Sequence, residues 1–367
     1  MKLTLLSLQC CLFIWILVSG CKTDDPEPDV NRTVFIGSDD GYEYAFDALT
    51  GKLHWKTQIG NYVESSATIA NGWVYVGSSD GNLYTLDSTT GTTQWKTSTH
   101  GFIFSSPTVV DNNVYLGSRS DTMYAMDAVS GTINWKKNIG KDIESSPVVA
   151  NGMVYFGAKD GALYALDQTT GDLKWKVSTI NASFSSPAVV EGTVYIGSGK
   201  DTLYAFNAST GALQWKMATG SFIYSSPAVA NGIVYVGCYD KNLYAVDTAT
   251  GTLKWKFTAN SSIYSSPFVS EGIVYITSHA GSTLYALDAV TGTAKWSTTV
   301  TSYLFSSPVV ANGVVYIGDL SGQVYAIDGI TGQKKWVSNT NGAIYSSPVV
   351  VTKQHKVFHP GISGDIQ

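Results

Sequence analysis

Cysteine is scarce in this chain. Cys10, Cys11 and Cys21 lie in or at the end of an apolar N-terminal stretch, and Cys238 stands alone in the rest of the sequence. Once that stretch is removed, no disulfide can form within the chain. Charge is sparse as well: Asp, Glu, Lys and Arg make up 14% of the residues, with no basic cluster or Arg stripe. The formal net charge is −5 and becomes −6 without Lys2, so the basic face that nucleic-acid binding requires is missing. The five histidines, His54, His100, His279, His355 and His359, fall at unrelated positions. Only His355 and His359 share a spacing suited to one helix face, and Pro360 in a β context argues against a metal site there. A phosphate loop is also absent, because Gly197-Ser198-Gly199 is followed by Thr202 where a dinucleotide fingerprint needs its third Gly. No segment after residue 30 sustains a helical period, which excludes helical folds.

What the chain has is repetition. Trp55, Trp95, Trp135, Trp175, Trp215, Trp255, Trp296 and Trp336 recur every 40 residues with one step of 41, and a period of that length signals a repeat architecture. Each Trp closes one phrase, clearest as Ser145-Ser146-Pro147-Val148-Val149, Val154-Tyr155-Phe156-Gly157, Leu163-Tyr164-Ala165-Leu166-Asp167 and Thr170 to Trp175. Its four apolar runs are too short for helices and are rich in Val, Ile, Tyr and Trp. They read as antiparallel strands a to d, with Asp-Gly pairs such as Asp40-Gly41 and Asp160-Gly161 suited to the tight turn between b and c.

A lone four-stranded sheet leaves a face exposed, whereas sheets arranged radially bury each face on a neighbour. The fold expected is therefore all-β: an eight-bladed propeller of four-stranded antiparallel blades. The first copy, from Val34, lacks strand a, and the last recognisable strand, Ser346 to Val350, has no Trp segment after it. These leftovers complete one blade, closing the ring by pairing the C-terminal strand with the first three.

The phrase Ala-x-Asp-x-x-x-Gly-x-x-x-Trp, as in Ala45, Asp47, Gly51 and Trp55, resembles the tryptophan-docking motif of the PQQ-type propellers. That family includes the quinoprotein dehydrogenases and the outer-membrane assembly lipoprotein BamB. The resemblance covers residues 34 to 351, with Thr85 in place of Ala, Asn207 in place of Asp, and an extra residue near His279 to Ser282. It implies that the eight Trp residues dock each blade on its neighbour and are structural.

The N-terminus points to an address. Residues 1–20 read as a signal peptide, with Lys2 followed by an apolar core from Leu3 to Val18. Leu17-Val18-Ser19-Gly20-Cys21 resembles a bacterial lipobox, which implies cleavage before Cys21 and acylation of its thiol. Residues 21–32 are an acidic tether, 33–358 the propeller and 359–367 a tail. Lys22 with Asp24-Asp25 resembles the surface-export signal of Bacteroidota lipoproteins. The expected location is the bacterial outer membrane, on its periplasmic or cell-surface side, with the membrane engaged through the lipid.

Functional residues are sought where the copies differ. The residue before each Ser-Ser-Pro reads Glu64, Phe104, Glu144, Phe184, Tyr224, Tyr264, Phe305 and Tyr345. With strand a innermost, these eight should ring the mouth of the central channel. Six aromatics and two acids there suit stacking on a glycan or gripping an extended peptide, but the plainer expectation is that they plug and pack the channel end. The residue after Trp is Lys in six copies, Lys56, Lys96, Lys136, Lys176, Lys216 and Lys256, a charge pattern that keeps outer strand edges from pairing with other chains. The only adjacent Cys pair, Cys10-Cys11, lies in the signal, and no acidic insertion offers a calcium site. Hence no catalytic residue, metal or cofactor is assigned, PQQ included. The reading is a monomeric, non-catalytic, lipid-anchored scaffold for a protein, peptide or glycan, with BamB-like outer-membrane protein assembly as one role. The alternative is a PQQ-dependent oxidoreductase of alcohol or sugar dehydrogenase type.

Overall fold

A computed structural model describes residues 32–179, 184–352 and 357–358. Eight sheets of antiparallel strands lie in a ring, each in the spatial order a, b, c, d. Blade 2, for example, uses Thr68–Ala70, Trp73–Gly77, Asn82–Asp87 and Thr93–Ser98. Blade 1 joins Thr33–Gly37, Tyr42–Asp47 and Leu53–Gln58 to strand a at Val349–Val351, in the register Val34 to Val350. One departure from the sequence reading is a fifth strand, Val357–Phe358, paired on the inner edge of that strand a. Four strands were expected in this blade, with none recognised after Val350. Two residues are too short to carry a periodic signal.

Local chemistry explains each element. Strands b and c lie between neighbouring sheets and read as near-continuous apolar runs because both faces are covered; Val154, Tyr155 and Phe156 are fully buried. Strand d alternates exposed and half-buried residues, as an outer edge should. The turns between a and b put two residues at positive φ, as at Asn151 and Gly152, the pattern of a type I′ hairpin. Every strand c pairs its small residue with the Trp of strand d, Ala45 opposite Trp55 and Thr85 opposite Trp95, and a bulge follows.

The Ser-Ser-Pro phrase is also consumed by the fold. The first Ser accepts the backbone N–H at the end of strand b in its own blade, from Gly77 to Ser65 Oγ at 3.3 Å and from Gly157 to Ser145 Oγ at 2.8 Å. The second Ser links blades. Backbone N–H groups of Ser66, Ser106, Ser146, Ser186, Ser226, Ser266, Ser307 and Ser347 each donate to the next serine's Oγ at 2.8–3.2 Å. The circuit closes when Ser347 donates to Ser66. At about 1 kcal/mol per bond, this belt ties all eight inner strands together. It encircles a channel enclosing about 650 Å³, whose walls run down strand a past Thr68, Val109 and Val149.

Candidate functional site at the channel mouth

The loops entering strand a and the turns between b and c share one end of the ring. They are held together by backbone bonds within each blade: Ser79 N–H to Tyr62 O at 3.0 Å, Arg119 to Phe102 and Tyr239 to Phe222 at 2.9 Å each. Among the described residues seven copies of this bond recur around the ring and fix two circles of side chains side by side.

The inner circle holds the eight residues singled out before Ser-Ser-Pro. Five of them form an arc of touching rings, with centroids 4.8 Å apart for Phe184 and Tyr224, 5.3 Å for Tyr224 and Tyr264, 5.0 Å for Tyr264 and Phe305, and 5.2 Å for Phe305 and Tyr345. The other three, Glu64, Phe104 and Glu144, gather on the opposite side around Arg119. The Arg119 guanidinium lies 4.1 Å from the Phe104 ring centroid and its Nε donates to Glu144 at 2.5 Å. Lys159 Nζ reaches the same Glu144 oxygen at 2.8 Å and Asp142 at 3.0 Å. Glu144 is thus paired twice, and its side chain is only 5% exposed.

The outer circle was not recognised in the sequence. Two residues after the strand-b position held by Gly in seven copies and by Thr277 in the other, the copies read Asp39, Ser79, Arg119, Lys159, Gly199, Tyr239, His279 and Leu320, different in every blade. That variation inside a strict repeat was the available signal. Tyr239 packs on Phe222 and Tyr264, at 6.2 and 5.7 Å. His279 sits among Tyr264, Tyr303 and Phe305 at 5.0, 5.2 and 4.3 Å. The aromatic half therefore comprises nine connected rings, and Phe184, Phe222, Tyr239 and Tyr303 expose 43–51% of their surface.

Electrostatics divide the mouth in the same way. Burial pushes the Glu64 carboxyl up to about 7, with Asp39 and Glu144 raising it further and Arg119 opposing them. Asp39 rises to about 6 through burial and the neighbouring Asp40. The Tyr345 hydroxyl is raised by burial and then by Asp39 and Glu64, so the acids border the end of the aromatic arc.

The remaining sequence features sit elsewhere. Each docking Trp packs under the next blade: Trp135 lies against Gly171 and its indole N–H donates to Gln168 O at 3.0 Å. Trp336 does the same across the closure, donating to Ala48 O at 3.1 Å. Lys56 and Lys176 stand on the outer strands over the Tyr42 and Tyr164 rings. Cys238 is buried and burial pushes its thiol up to about 11. Residues 1–31, with Cys21 and all of the tether but Arg32, and likewise His355 and His359, lie outside the described residues. Among those described, no helix is long and apolar enough to cross a membrane.

The sequence matches the family model described as outer membrane protein assembly factor BamB, at residues 23–103, 98–187, 176–266 and 261–365. The chain belongs to the BamB family. The structure of BamB from Moraxella catarrhalis superposes with a TM-score of 0.70 at 20% identity, over 80% of this chain and 95% of that one. A computationally designed protein, Ika8, gives 0.69 at 19%, over 84% and 93%. A quinohemoprotein alcohol dehydrogenase from Pseudomonas putida gives 0.70 at 17%, over 82% and 70%. No curated protein matches the sequence. An assembly factor, an oxidoreductase and a design share this backbone, so likeness to a BamB structure at this identity establishes the fold and leaves the activity to the site.

Proposed function

We propose that this BamB-family chain is a non-catalytic scaffold, tethered to the outer membrane by acylated Cys21, which docks a protein partner on its channel mouth during outer-membrane protein assembly. One observation carries this reading. The repeated Trp, Gly, Asp and Ser residues are spent on packing and on the serine belt, whereas the individualised residues converge on one face and leave six aromatic rings, Tyr62, Phe102, Phe184, Phe222, Tyr239 and Tyr303, partly exposed. Exposed aromatics clustered in this way mark interaction surfaces.

The oxidoreductase alternative has the fold in its favour, since quinohemoprotein alcohol dehydrogenases share it. The mouth residues do not fit a quinone held with a calcium ion. Glu144 is engaged by Arg119 and Lys159, and among the described residues no three acidic, His or Cys side chains converge as a metal would require.

The test is a pull-down of the acylated protein from its native envelope beside a titration with PQQ and calcium. Recovery of a β-barrel assembly factor, lost on replacing Phe222 and Tyr303 with Ser, is the expected result. Saturable PQQ binding with dye-linked oxidation of an alcohol or sugar overturns the reading.

A further inference from the structure

We infer that the acidic side of the mouth, where it meets the aromatic arc, receives a guanidinium or ammonium group carried on an extended segment of the protein partner. This deepens the docking reading above and rests on it.

The charges at this spot do not balance. Arg119 and Lys159 are both committed to Glu144, and Lys159 also to Asp142. Asp39 and Glu64 form no ion pair among the described residues. Two acceptor atoms are shielded from solvent without a donor: Asp39 Oδ1, and Oε2 of Glu144, whose side chain is more than nine-tenths buried. A buried acceptor left unmade is costly, so these two atoms, closed off from the opening, leave the acidic side short of donors; the half-buried Glu64 beside them is the acid that a ligand bringing N–H donors and positive charge can reach. Beside them the arc offers the Tyr345 and Phe305 rings, whose faces attract organic cations. A bare metal ion fits poorly, because the acids do not converge on one point and aromatic rings supply no ligands to it. A neutral glycan could stack on the arc but would leave Asp39 and Glu64 uncompensated. Exposed Tyr62, Phe222 and Tyr303 border the same opening and provide contact for residues flanking the cation.

Linkage gives a second signature. Asp39 and Glu64 hold their protons to about pH 6 and 7, and an arriving cation favours their ionised forms. Asp40, Arg119, Glu144 and Tyr345 also face this pair. Binding therefore releases protons, and affinity increases from pH 5.5 to pH 7.5.

The experiment is calorimetric titration of the full acylated protein in detergent with a blocked Gly-Tyr-Arg-Tyr-Gly peptide, its citrulline counterpart, its Glu counterpart and cellotetraose. The Arg peptide is expected to bind at least tenfold more tightly than the citrulline and Glu peptides, with affinity rising severalfold between the two pH values. The Asp39→Asn, Glu64→Gln protein, both near-isosteric changes, should lose that preference and the pH dependence while retaining its thermal midpoint. Equal binding of the citrulline peptide, or binding of cellotetraose alone, overturns the inference. A pull-down with the two variants separates the failures. Partner recovery lost in the Phe222→Ser, Tyr303→Ser protein but kept in the acid variant refutes the cation while sparing the docking face. Recovery kept in both refutes the docking face as well.

Discussion

At the second position of strand c, seven blades carry Leu83, Met123, Leu163, Leu203, Leu243, Leu284 or Val324, all fully buried, and the first carries Glu43, equally buried. Neither Glu43 carboxylate oxygen finds a hydrogen-bond partner among the described residues. Burial therefore raises its carboxyl well above the usual glutamate range. A carboxyl that holds its proton more tightly when folded stabilises the fold most in acid, and that contribution is lost as pH climbs above the unfolded value of about 4.3. Glu43→Leu should stabilise the protein by about 1–3 kcal/mol at neutral pH, seen as a higher thermal midpoint. The gain should shrink toward pH 4, and a variant less stable than the parent at pH 7.5 would contradict this account. Glu43 was visible in the sequence as a lone acid at an apolar position of the repeat. Its burial was not, because the neighbouring blade that covers it lies outside its own segment.

The element that recurs is the blade with its docking contact. Gly171 adopts φ of +73°, and a β-carbon built on it would stand 2.7 Å from Cε3 of Trp135 in the preceding blade. Asp167 shapes this turn by accepting N–H bonds from Thr169 and Thr170 at 2.9 Å each, while Lys174 pairs with its second oxygen at 3.0 Å. Gly171→Ala combines backbone strain with displacement of the indole and should cost about 2–4 kcal/mol. Gly152→Ala, at positive φ with nothing within 4 Å, should cost distinctly less, so urea midpoints of the two variants isolate the docking term. The spacing of Asp, Gly and Trp revealed this element before any coordinates, because its motif spans eleven residues and repeats eight times, although the contact itself joins one blade to the next. Where a feature occurs once, as the added strand Val357–Phe358 does, repetition offers no help.

For the whole molecule, stability depends on closure. Blade 1 is assembled from both chain ends by three paired residues, Thr33 with Val351, Val34 with Val350 and Phe35 with Val349. Indole and hydroxyl bonds from Trp336 and Tyr316 to Ala48 O add to the seam. Deleting residues 343–367 removes both Val349–Val351 and Val357–Phe358, breaks the serine belt at Ser347 and exposes the faces of two blades. It should lower the thermal midpoint far more than deleting residues 22–31, a comparison that differential scanning calorimetry makes directly. Equal losses would show that the ring does not need its seam.

The sequence by itself determined the strand pattern, the number of blades, the way the ring closes and the identity of the eight inner mouth residues. Each follows from periodicity, which a chain displays along its length. Tertiary structure alone decided that Arg119 and Lys159 pair with Glu144 while Asp39 and Glu64 form no ion pair among the described residues, and that nine rings join into one arc. Arg119 and Glu144, 25 residues apart, and Tyr224 and Tyr264, 40 apart, meet across different blades. Their distances are set by how far each sheet rotates about the ring axis, and that rotation comes from packing between blades.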